Sequence, residues 1–114
     1  MPDDVTLIRR LYDSFNARDM EAALAAMHPD VVWANGMDGG YVHRREGVRD
    51  YWSRQWATVE SHALPVKFST AAGGNVEVEV HLTARDHQGN VVFDRMGTHS
   101  FHVVDGLVRR FDIR

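Results

Sequence analysis

The sequence contains no cysteine, which excludes disulfides and thiolate chemistry. It has no long basic run, and its net charge is −3 with histidine neutral, so no nucleic-acid footprint stands out. No apolar stretch approaches the roughly 18 residues needed to cross a bilayer. The opening MPDDVTLIRR is acidic and then amphipathic, and lacks the basic region and apolar core of a signal peptide. A cytoplasmic location is the expectation. There is no internal repeat, linker or low-complexity tract. Nor is there a phosphate loop, a nucleophile elbow or a Rossmann glycine pattern. What is present is 114 residues, 44% hydrophobic and 25% charged. That suits one globular domain spanning 1–114, with one core.

Asp3 and Asp4 can cap a first helix, in which Val5, Ile8, Leu11, Tyr12 and Phe15 recur at helical spacing. Asp19 is a natural N-cap for a short second helix from Met20 to Met27, limited by Pro29. Val31 to Asn35 is β-branched and aromatic and reads as a strand, with Val31, Trp33 and Asn35 on one face. Gly36, Gly39 and Gly40 break it, and a third helix is expected from about Glu46 to Val59. Strands follow at Val66 to Ala71, Val76 to Arg85, Val91 to Val104 and Leu107 to Ile113, separated by glycine-bearing turns. On the long strand the odd positions, including Arg95, His99 and Phe101, point inward. The outward even positions carry few charges.

Helices followed by hairpin-connected strands indicate an α+β fold with a curved antiparallel sheet. A half-apolar outer face on so small a domain points to a homodimer formed through that face. Three segments then carry a family resemblance: LYDSFNARDMEAALAAMHPDVVW, YVHRREGVRDYW and FHVVDGLVRRFDI. The chain resembles the nuclear transport factor 2-like superfamily, within it the SnoaL-like and ketosteroid-isomerase-like proteins, over essentially its whole length. The resemblance implies a cystatin-like cone: a curved antiparallel sheet wrapped around three N-terminal helices, enclosing an apolar pocket. It also implies dimerisation through the outer sheet face. The superfamily includes isomerases, cyclases, hydrolases and non-catalytic binders, so the fold does not choose the chemistry.

Set against the ketosteroid isomerases, the position of the carboxylate base falls on Asn35, which takes no proton at neutral pH. The first-helix tyrosine falls near Leu11, with Tyr12 one residue along. The aspartate donor falls at or beside His99. The standard isomerase mechanism is therefore not expected. The residues themselves suggest a pocket walled by Trp33, Trp52, Trp56, Phe101 and Phe111, with Tyr12, Gln55 and Arg95 as further ligand contacts. His99, inward among aromatics with a pKa its surroundings can tune near neutrality, is the candidate acid or base. Its alternative role is a core histidine with one hydrogen bond. Asn35 could orient a carbonyl, or simply form a turn. Asp38, His43 or Asp94 could be a second titrating group, Asp38 and His43 bracketing the pocket mouth or lying in a solvated loop. His81 and His102 are expected as neighbours on the outer face. With Glu77 and Glu79 they match no metal-binding spacing, and no metal site is expected.

The expected function is a SnoaL-like protein with an apolar pocket for a small carbonyl-bearing or polycyclic ligand. It would do cofactor-free acid–base chemistry as an isomerase, cyclase or hydrolase. The alternative is a non-catalytic hydrophobic-ligand-binding or dimerisation module. No nucleic acid or membrane partner is expected.

Overall fold

The computed structural model describes residues 3–114. Helix α1 (Asp4–Asn16) starts where the Asp3 carboxylate accepts the Thr6 N–H at 2.8 Å, and it buries Ile8, Leu11 and Tyr12. Helix α2 (Met20–Ala25) is capped by Asp19, whose carboxylate accepts the Ala22 N–H. It ends short of the expected Met27. The Ala26 carbonyl accepts the Val108 N–H at 2.9 Å and Met27 pairs with Val108, so the sheet takes over the backbone there.

Strand β1 (Met27–Ala34) therefore begins earlier than the β-branched run suggests. Its register shifts between Met27 and Val32, and Pro29 sits inside that irregularity, where a missing N–H breaks no ladder. β2 (Tyr41–His43) pairs antiparallel with β1. Helix α3 (Arg44–Thr58) then crosses back, burying Val48, Tyr51 and Trp52. β3 (Val59–Thr70) is twice the expected length. It tolerates Pro65 because it is an edge strand and its register shifts between Pro65 and Lys67. β4 (Val76–Asp86), β5 (Val91–Val104) and β6 (Leu107–Ile113) complete the set.

The strands form one sheet in the order β2-β1-β6-β5-β4-β3. Pairings are antiparallel except that β1 runs parallel to β6, which sets Trp33 opposite Phe111. The two rings stack at 4.1 Å with planes 18° apart. The helices pack on the inner face, as the α+β cone requires. Asn16 ties the end of α1 to the edge strand. Its amide donates to the Ala63 carbonyl at 2.8 Å and accepts the Ala63 N–H at 2.9 Å, standing in for a ladder partner. Among the described residues no helix is long and apolar enough to cross a membrane.

Candidate functional site

The inner face of β5 alternates Phe93, Arg95, Gly97, His99 and Phe101, and these positions run from the rim of the cone to its floor. Across from them lie α1, α3 and β1. Together they enclose a cavity of about 140 Å³. Its aromatic wall contains Trp33, Trp52, Phe101 and Phe111, with Trp33 and Trp52 edge to face at 5.4 Å.

The floor carries a buried polar pair. Tyr12 Oη lies 2.7 Å from His99 Nδ1, with the two ring planes nearly parallel. Phe111 meets the imidazole edge to face at 4.7 Å. Neither residue has a charged neighbour strong enough to offset burial. Desolvation holds the phenol of Tyr12 well above the ordinary tyrosine range and pushes His99 down to about 4. Both groups are neutral at pH 7. The expected tuning of His99 toward neutrality is thus corrected: an apolar surround without a carboxylate lowers an imidazole instead. In either tautomer the pair keeps one hydrogen unspent. If the phenol donates to Nδ1, the remaining donor is the histidine Nε2–H. If Nδ1–H donates to the phenol, it is the tyrosine O–H.

A second polar station sits on the opposite wall, built by α3, β3 and the turn after β1. The Tyr51 hydroxyl accepts the Gly36 N–H at 3.0 Å, and Gln55 reaches it at 3.5 Å. Gln55 also accepts from Ser61 Oγ at 3.5 Å. No acceptor for Tyr51's own proton occurs among the described residues, so that proton is available to a ligand. Burial is the main reason that its phenol is raised above the ordinary range. Tyr51 is not among the candidate site residues read from the sequence. The missed signal was its place one turn before Gln55, which puts both polar ends on one face. Arg95 stands at the rim, its guanidinium 4.8 Å above the Phe93 ring.

Several expected site residues lie elsewhere. Asn35 is a turn former: its amide oxygen accepts the N–H groups of Met37 at 3.0 Å and Asp38 at 2.9 Å, and the residue is not part of the cavity wall. Gly39 and Gly40, at φ 81° and 72°, fold the chain back into β2, so Gly36 and Met37 of this turn line the cavity while the residues from Asp38 to His43 lead into the sheet. Asp38 and His43 are consequently exposed and outside the wall. Asp94 faces outward and pairs with His81 at 2.6 Å. His81 and His102 are not neighbours: His81 sits opposite Met96, and His102 bonds Asn75 at 3.0 Å. Trp56 is also outside the cavity wall. It packs on Phe15 at 5.6 Å under the Arg18 guanidinium at 5.2 Å, and its buried indole N–H has no partner among the described residues. Arg45, at the start of α3, donates twice to the Met27 carbonyl, at 2.6 and 3.0 Å, so it serves the fold. Among the described residues no group of three or more histidine, cysteine or acidic side chains is placed to hold a metal ion.

Comparison with known proteins gives a match over residues 8–111 to the family model for the SnoaL-like domain. Among proteins with curated descriptions no sequence match is found. Several solved structures superpose closely. A nuclear transport factor 2-like protein of unknown function from Burkholderia pseudomallei gives a TM-score of 0.86 at 22% identity, over 100% of this chain and 91% of that one. A candidate polyketide cyclase from Sinorhizobium meliloti gives 0.82 at 18% identity, over 100% and 95%. The Mycobacterium tuberculosis protein Rv0760c, in complex with estradiol-17β-hemisuccinate, gives 0.83 at 17% identity, over 96% and 90%. At these identities the likeness is one of fold.

Proposed function

The chain belongs to the SnoaL-like domain family, and from that premise we propose that its cone binds a small, mainly apolar ligand through a carbonyl or hydroxyl oxygen. The observation that carries this reading is the 2.7 Å Tyr12–His99 bond on the floor of an aromatic cavity. An apolar cavity with a few convergent polar groups is the usual form of a small-molecule site. The similarly folded M. tuberculosis protein holding a steroid ester in its crystal supports the same reading. Size narrows the ligand. Apolar cavities of about 150 Å³ take one benzene ring, so this chamber of about 140 Å³ accepts a single ring, and a polycyclic ligand keeps its other rings at the mouth.

Cofactor-free proton transfer on the bound oxygen is the matching chemistry, in an isomerisation, a cyclisation or a hydrolysis. With Nδ1–H donated to the phenol, the Tyr12 O–H donates to the ligand oxygen while the free Nε2 of His99 takes up the proton leaving the ligand and returns it to the product. A second reading, a binder without turnover, is favoured by one observation: among the described residues no carboxylate lines the cavity. Dimerisation through the outer sheet face belongs to either reading.

The deciding experiment titrates tryptophan fluorescence with single-ring and polycyclic carbonyl compounds, because Trp33 and Trp52 wall the cavity. Saturable quenching, weakened about tenfold in Tyr12→Phe, is expected, a loss on the scale of one hydrogen bond. A flat response to the whole panel would refute the pocket. For any compound turned over, a rate that is level near neutrality and lost in His99→Ala identifies the enzyme. Binding without turnover identifies the binder.

A further inference from the structure

The geometry points to the ligand being an elongated carboxylic acid, its ring in the chamber and its carboxylate seated on Arg95 at the rim. This rests on the pocket reading above and adds the ligand's second end. Arg95 is the only permanently charged side chain in the cavity wall among the described residues, and no aspartate or glutamate lines it. The molecule as a whole carries a net charge of −3, so a cationic rim runs against the overall balance. Arg95 makes no ion pair with any described residue. It is held instead by the Phe93 ring beneath it, an arrangement that leaves the edge of the guanidinium free for bidentate recognition of a carboxylate.

Spacing sets the length. Arg95 and His99 share the inner face of β5 four residues apart, which is about 13 Å along a strand. Side-chain reach shortens the gap, so roughly 10 Å separates the oxygen held at the floor from the carboxylate at the rim. Gly97, between them, has no side chain to block that path. A Cβ there would come within 3.3 Å of Leu82 Cδ1, and Leu82 is itself part of the wall. An acid with one ring and a short chain, bearing a phenol or ketone at its far end, matches both the chamber and the span.

Calorimetric titration of the whole chain with 3-(4-hydroxyphenyl)propanoic acid and with its methyl ester tests this. At low salt the acid is expected to bind about fivefold tighter than the ester, the scale of a partly exposed ion pair. The preference should shrink as salt rises. It should weaken but remain in Arg95→Lys, which keeps the charge and loses the bidentate fork, vanish in Arg95→Gln and reverse in Arg95→Glu. Tyr12→Phe should weaken acid and ester alike, because it acts at the other end. Equal binding of acid and ester by the unaltered protein, or a preference that survives Arg95→Gln, overturns the carboxylate seat while leaving the pocket standing. Failure of both compounds to bind counts against the pocket itself and removes this inference with it.

Discussion

The environment of His99 couples this one residue to the pH dependence of stability. Unfolded, its imidazole titrates near 6.5; folded, it resists protonation down to about 4. Between those values the unfolded chain binds more protons than the folded one, so stability falls as pH drops through this window and levels off below it. The gap corresponds to ~3 kcal/mol. Urea midpoints measured from pH 7 to pH 4 should decline steeply in the unaltered protein and much less in His99→Gln; equal slopes would show that His99 is not buried neutral. The inward position of His99 was legible in the sequence, because strand alternation assigns faces. Its bond to Tyr12 was not, since the two lie on elements far apart in the chain. Trp56 shows the opposite failure. It follows Trp52 by one turn and shares its face, yet at the end of α3 it meets Phe15 and Arg18 and not the cavity.

Among the elements, α3 begins under strain. Arg44 has φ 65°, a left-handed conformation costly for a residue with a Cβ, and His43 before it supplies no side-chain cap. Arg44→Gly should therefore raise stability by about 1 kcal/mol, read as a shift in thermal midpoint of a few degrees. An unchanged or lower midpoint would mean that the arginine side chain contributes more than its backbone costs. Element boundaries were legible wherever capping or alternation was local, as at Asp3, Asp19 and the β4–β5 hairpin. They were lost where a local rule met a long-range exception. Pro65 excludes a longer third helix, and no local rule carries a strand across a proline, but an edge strand with a shifted register does so, and the first half of β3 went unseen. Three residues are too few for β2 to show alternation at all.

At the scale of the molecule, the outer sheet face is the face proposed for dimerisation. Leu64, His81 and Met96 form a row across three strands, and Leu64 and Met96 are half exposed or more. Light scattering after size exclusion at micromolar concentration should give twice the 13.0 kDa chain mass for the unaltered protein. Met96→Glu should give the single mass, because a charge at the centre of the face opposes its copy. A monomer in both cases would leave this face to the solvent. The α+β cone was legible from the order of elements, but the parallel pairing of β1 with β6 was not, since no local pattern encodes it. That pairing dictates an order of assembly. A ribosome delivers α1, α2, β1 and α3 long before residues 107–113, and until those arrive β1 has only the three-residue β2 beside it. Trp33 must wait for Phe111, and the cavity has no closed floor in the meantime. The chamber a ligand would enter is therefore complete only once residues 107–113 have joined the sheet.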